Sequence, residues 1–356
     1  MKRIISVLLV VLMAVSVVSV LSACSSGYDL IICNWGEYIC DTDEGDLFDV
    51  VKAFEKEYGV RVKYITAETT EELYALMKTG GVNYDVIFPS DYMIEQMIAE
   101  GMLAKIDYSL IPNFSGIMQE YVNPEYDPTN EYSVPYFWGT VGLIYNSKVI
   151  TDPVTSWDDL WKAAEKYPNR VVMIGNPRDA FAIALNKLGY SMNTTDEGQI
   201  REAAAELKKL RELNVPFYMD QFFDLLPSGS AVMMPYYAGD YLYVLEENED
   251  LAFAIPESGT NVFSDAMCIP ATSEHQALAA EFINFMLRPD VGKCNTEVVG
   301  YSTPNTKVWE ILDEDVRNNP IAYPEISDKW ESYRALPSNI TELMNELWIE
   351  ILSDNG

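Results

Sequence analysis

Five short segments place aromatic rings beside carboxylates or hydroxyls. They are Asn34-Trp35-Gly36-Glu37-Tyr38, Pro89-Ser90-Asp91-Tyr92, Tyr237-Ala238-Gly239-Asp240, Phe263-Ser264-Asp265 and Gly300-Tyr301-Ser302-Thr303-Pro304-Asn305. A ring face attracts a cation and packs on methylenes, contributing about 0.5–2 kcal/mol per contact. A carboxylate accepts charge-assisted hydrogen bonds from an ammonium. Together they match a flexible polyamine, with rings for its carbon chain and acids for its nitrogens. For a single segment the blander alternative is a ring at a core edge and an acid capping a helix. Recurrence of one composition in five places weighs against that alternative.

Other chemistries lack their parts. His275 is the only histidine and falls in an apparent amphipathic helix, so a Ser-His-Asp arrangement has no base. Ser228-Gly229-Ser230 does not have nucleophile-elbow spacing. Thr79-Gly80-Gly81-Val82 lacks the Lys-Ser/Thr of a phosphate-binding loop. Cys33, Cys40, Cys268 and Cys294 form no C-x-x-C or Cys/His cluster, so no zinc site and no metal or other cofactor is expected. They read as small buried hydrophobes, although export would permit disulfides, and four cysteines allow three full pairings. Paired carboxylates leave a glycoside hydrolase open by inventory. Tyr236-Tyr237 leaves an iron site open, although adjacent strand tyrosines usually face opposite ways.

The 356 residues carry 24 Lys+Arg against 55 Asp+Glu, a net charge of −31. Such a chain repels nucleic acid and anionic headgroups, and most of this excess reads as solvated surface. Its length suits two or three domains. Residues 1–23 read as an export leader: Lys2 and Arg3, an apolar run from Ile4 to Leu21, then small residues. Leu21-Ser22-Ala23-Cys24 resembles a lipobox, which predicts lipidation of Cys24 and a membrane anchor, with 24–27 as the lipidated start and tether.

The elements that must position these groups follow from periodicity. Strands are expected over Asp29–Cys33, Val60–Ile65, Asp85–Phe88, Arg170–Ile174, Ala231–Met234 and Leu251–Ile255. Helices are expected over Glu44–Tyr58, from Thr69 to Gly80, and over Asp179–Leu188, Gln199–Leu213 and Glu274–Leu287, the last ended by Arg288-Pro289. Asn123–Tyr136 reads as a loop between units. The alternation predicts α/β architecture in two lobes with mainly parallel sheet, where ligands bind beyond the strand ends.

Seven stretches, in order, carry a family resemblance. They are Asn34-Trp-Gly-Glu-Tyr38, Tyr84-Asp-Val-Ile-Phe-Pro-Ser90, Tyr132-Ser-Val-Pro-Tyr-Phe-Trp-Gly139, Ser156-Trp-Asp-Asp-Leu-Trp161, Lys187-Leu-Gly-Tyr-Ser191, Phe282-Ile-Asn-Phe-Met-Leu-Arg-Pro-Asp290 and Gly300–Asn305. Over about residues 29–333 the chain resembles the spermidine/putrescine-binding proteins of bacterial polyamine ABC transporters. The resemblance implies a two-lobed type II periplasmic-binding-protein fold, with lobe one over 28–139 and 264–309 and lobe two over 140–263 and 310–356. It implies hinge closure on a polyamine, delivery to permease subunits driven by a cytoplasmic ATPase, and no catalysis by the chain itself. A ligand-sensing lipoprotein could use the same pocket.

Residue by residue, the resemblance places Trp35, Glu37 and Tyr38 on a first wall, with Ser90 and Tyr92 beside it. Asp179 is the lobe-two carboxylate. Tyr237 stands where the family usually has tryptophan, and Phe263 replaces the tryptophan of typical spermidine binders. Asp240 and Phe263 follow putrescine-preferring members. Asp265 is the main ammonium partner and Tyr301 the closing ring. Asn176 and Glu331 replace an aspartate and a glutamine, which conserves the number of acids and moves one. These features lean toward putrescine, with spermidine close behind.

Overall fold

A computed structural model describes residues 27–353. The leader and Cys24 lie outside these residues. In chain order the elements are β1 (Leu30–Trp35), α1 (Val50–Tyr58), β2 (Val62–Ala67), α2 (Thr70–Thr79), β3 (Val86–Ile87), α3 (Asp91–Ala99) and β4 (Ser133–Asn146). Then follow α4 (Asp158–Lys166), β5 (Met173–Ile174), α5 (Pro177–Lys187), α6 (Glu197–Glu212), β6 (Phe217–Tyr218), α7 (Phe222–Leu225), β7 (Met233–Tyr237) and α8 (Ala238–Leu245). The chain ends through β8 (Leu251–Ala254), β9 (Val262–Cys268), α9 (Gln276–Met286), α10 (Pro289–Val299), α11 (Thr306–Trp309), α12 (Glu314–Arg317) and α13 (Ser338–Ser353).

Helix signals read locally largely persist. Thr69 caps α2 by accepting from the Glu72 amide, and Gly59 and Gly80 end α1 and α2 in left-handed conformation at φ 68° and 66°. In α6, Ile200, Ala204, Leu207 and Leu210 are buried on one face. The first helix is shorter than its periodicity suggests. Asp49 accepts from the Lys52 amide, so the helix starts at Val50, residues 44–46 form a turn and 47–49 are irregular. Helix α9 stops at Met286, and Pro289 opens α10 instead of only terminating α9, since a proline at the first helical position loses no intrahelical bond.

The sheet is mixed, not mainly parallel. Its order is β2-β1-β3-β9-β4-β7, with β8 also on β4. Strands β1, β2 and β3 are mutually parallel, whereas β9, β4, β7 and β8 pair antiparallel. The expected loop 123–136 ends early because Ser133 already begins β4, the longest strand. Its Pro135 sits where the β4–β9 register shifts, a place that tolerates a missing amide donor.

Strand β4 joins two apolar cores. Ser133–Thr140 runs along β9, and Val141–Asn146 runs along β7 and β8. On one side two clusters together gather side chains from β1 to β3, the first half of β4, β9, α9 and α10. The other side gathers Val141 onward through α4 to α8, together with α13. The site lies where these bodies face each other. Among the described residues no helix is long and apolar enough to cross a membrane.

Candidate functional site

The loop after β1 builds the first wall. The Asn34 carboxamide accepts from the Trp35 amide at 2.8 Å and donates to the Tyr38 carbonyl at 3.4 Å, which curls the chain over one turn. Glu37 takes up a left-handed φ of 49° in that turn. Tyr38 is thereby set edge-on to Tyr136, Phe137 and Tyr301, with centroids 5.7, 5.5 and 4.9 Å away. Its hydroxyl donates to Asp265 Oδ2 at 2.7 Å. Ser90, before α3, does not use its side chain to cap that helix; its hydroxyl donates to Asp265 Oδ1 at 2.6 Å. Asp265 on β9 therefore has one hydroxyl donor on each oxygen.

The facing body supplies two more acids. Asn176 caps α5 by accepting from the Arg178 and Asp179 amides, which orients Asp179 in the first helical turn. Asp179 accepts from the Tyr237 hydroxyl at 2.7 Å and the Tyr333 hydroxyl at 2.8 Å. Arg178, beside it, points away to the Met192 carbonyl and Asn193 and lies over the Tyr333 ring at 4.4 Å. Asp240, in the first turn of α8, accepts from Tyr301 at 2.7 Å. Gly239 makes this approach possible: a Cβ there would stand 2.0 Å from the Tyr301 ring.

These groups enclose a cleft of about 780 Å³, counting space open to solvent. Trp35, Tyr38, Ser90, Tyr92, Asn176, Asp179, Tyr237, Asp240, Phe263, Asp265 and Tyr301 line it. Burial pushes Asp265 up to about 6 and Asp240 up to about 7, although hydroxyl donors pull both down. Burial also raises Asp179, against its two tyrosine donors and Arg178. Among the described residues no lysine or arginine lines the cleft. The acids hold polar hydrogens but no lining counter-charge, which is an environment suited to a bound cation.

Two expected residues fall outside the lining. Glu37 is exposed on its turn. Glu331 turns its carboxylate to Ser191, the Met192 amide and Asn193, fastening a connection between α5 and α6. The cleft also includes residues that sequence reasoning missed, among them Thr70, Tyr236, Asp220, Phe223 and Tyr333. Asp220 follows strand β6, so the strand-end rule could have found it. Tyr333 sits in irregular chain with no local signal. The adjacent tyrosines diverge in partner: Tyr236 stacks on Phe222 at 4.2 Å, while Tyr237 bonds Asp179.

Comparison with known proteins agrees with this geometry. Residues 49–324 match the model of the bacterial extracellular solute-binding protein family. The chain belongs to that family. It is 38% identical over 296 residues to the spermidine/putrescine-binding periplasmic protein of Salmonella typhimurium, covering 82% of each chain. It is 28% identical over 360 residues to a putrescine-binding periplasmic protein of Escherichia coli, covering 96% of this chain and 95% of that one. A solved structure from Listeria monocytogenes, described as a putative spermidine/putrescine ABC transporter, superposes with a TM-score of 0.85 at 33% identity. That match covers 91% of this solute-binding protein and 98% of the Listeria chain. The fold is that of the periplasmic binding proteins, and the family consists of binding proteins for transport.

Proposed function

We propose that this solute-binding protein captures polyamines outside the cytoplasm and hands them to an ABC permease. The observation that carries the reading is a set of three carboxylates, Asp265 and Asp179 buried and Asp240 half-buried, held by hydroxyl donors in a ring-lined cleft without a lining cation. An ammonium bound at Asp265 restores the missing counter-charge. Asp240 and Asp179 serve the other nitrogens, and Trp35, Tyr38, Tyr237, Phe263 and Tyr301 enclose the methylenes. Asn176, Ser90 and Tyr92 complete the wall.

Lobes over 28–139 with 264–309 and 140–263 with 310–356 close on the ligand about the β4 and β9 crossings. Cys24 carries a lipid that keeps the protein at the outer face of the cytoplasmic membrane, and the chain catalyses no reaction. Putrescine is the preferred ligand, followed by spermidine, because Phe263 and Asp240 follow the pattern of putrescine-preferring members and Asp240 adds a carboxylate to the cleft.

A thermal-shift panel of putrescine, cadaverine, spermidine, spermine and unrelated solutes tests this. A ligand that binds only the folded state raises Tm by mass action. The expected result is a rise with diamines and spermidine and none with neutral sugars or anionic amino acids. A sugar-selective response with none to any amine overturns the reading.

A further inference from the structure

The first body is assembled from two stretches of chain separated by most of the second body, and two buried cysteines meet at their junction. Cys40 follows the Trp35–Tyr38 wall, and Cys294 lies in α10, 254 residues later. Their sulfurs stand 2.7 Å apart, with residue exposures of 0% and 3%. The backbone around them is pinned. The Cys40 amide donates to Asn295 Oδ1 at 2.9 Å, the Cys40 carbonyl accepts from the Val50 amide, and the Phe48 amide donates to Cys294 Sγ.

The other two cysteines do not meet each other. Cys33 pairs with Ile87 across one ladder and Ile87 with Cys268 across the next. Two strand spacings separate Cys33 from Cys268, about 10 Å, which is beyond the reach of a disulfide without backbone movement. Of the three pairings that four cysteines allow, the fold supports a single bridge.

We propose that Cys40 and Cys294 form a disulfide in the exported protein. The two thiols lose two protons and two electrons as the S–S bond forms. A disulfide of an extracytoplasmic exchange protein, or oxidised glutathione in vitro, accepts the electrons and leaves as two thiols. Either thiolate attacks the oxidant's disulfide first, and the other then displaces the resulting mixed disulfide to close the bridge. Because both sulfurs are buried in the finished fold, oxidation precedes final packing and the product is then shielded from reductant. The bridge lies within one body, so it leaves cleft closure free. It also ties the loop bearing Tyr38 to the helix that leads through Val299 and Gly300 to Tyr301, whose ring meets Tyr38 at 4.9 Å. The inference rests on export and on this geometry, not on the identity of the ligand.

The test is peptide mapping of the full chain, exported, purified without reductant and alkylated while denatured. The expected product is one linked pair of peptides containing Cys40 and Cys294, two hydrogens lighter than the reduced pair, with Cys33 and Cys268 alkylated. Alkylation of Cys40 and Cys294 in protein refolded with oxidised glutathione overturns the proposal, as does a link to Cys33 or Cys268. A second measurement follows Tm. Wild type refolded in reductant should melt on the order of 5–10 °C below the oxidised form. Cys40→Ala, Cys294→Ala and the double variant should show no response to reductant. A wild-type Tm indifferent to refolding in reductant also overturns it.

Discussion

Asp265 takes both hydroxyl donors, Tyr38 and Ser90, from the body in which it is embedded. Asp240 takes its one donor, Tyr301, from the body across the cleft. The first carboxylate is oriented by the sheet before any closure. The second takes its partner from the other body, and their close approach needs Gly239 and Gly300, whose amide planes and ring pass without a Cβ between them. Burial raises both acids, and the better-supplied Asp265 lies lower, at about 6 against about 7. On the proposed function, Asp265 acts as a preorganised anchor and Asp240 as a closure-dependent latch.

The sharpest way to break this division is Asp265→Ala. It should weaken putrescine or spermidine binding by about 2–5 kcal/mol in calorimetry, because a buried ammonium loses its counter-charge. Unchanged affinity would remove Asp265 from its anchoring role. Asp240→Asn should cost less, about 1.5–3 kcal/mol, the range for a hydrogen bond to a charged group. An effect larger than that of Asp265→Ala would reverse anchor and latch.

Gly239→Ala isolates the latch sterically. Its new Cβ meets the Tyr301 ring, so closure and affinity should fall by about 1–3 kcal/mol, the range for overpacking. The unliganded protein, free to stay open, should keep its Tm. A lowered ligand-free Tm with intact affinity would instead make Gly239 a folding residue.

Protonation gives the smallest expected effect. Both acids are raised in the free site, so lowering pH from 8 to 6 should weaken polyamine binding on the order of tenfold, with Asp240 titrating first. The sign for stability is opposite in the free protein. Carboxyls raised by folding stabilise it fully below their unfolded range near 4, and that contribution is lost as pH rises through about 6 and 7. The ligand-induced rise in Tm should therefore be larger at pH 8 than at pH 6. Asp240→Asn should flatten the upper part of this profile, and a profile unchanged in that variant would assign the titration elsewhere.

Much of the site was legible in the sequence because the same ring-and-acid chemistry repeated in five short segments. Trp35, Tyr38, Ser90, Tyr92, Tyr237, Asp240, Phe263, Asp265 and Tyr301 all reside in or beside such segments and line one cleft. Glu331 shows the limit. The family resemblance names it, yet Ser191, Met192 and Asn193 claim its carboxylate, and no local pattern reports that competition. Tyr333 is the converse, a cleft residue in irregular chain whose value comes from a hydroxyl bond to Asp179, 154 residues away.

By itself the sequence determined the capped helices, the ring-and-acid inventory and the absence of a histidine base, since each depends on neighbours a few residues apart or on composition. Only the tertiary structure decided that β4 runs through both bodies, which acid is served within its own body and which across the cleft, and that Cys40 meets Cys294. Those outcomes depend on which distant surfaces pack together, and a repeat of 2 or 3.6 residues identifies a buried face without naming its partner.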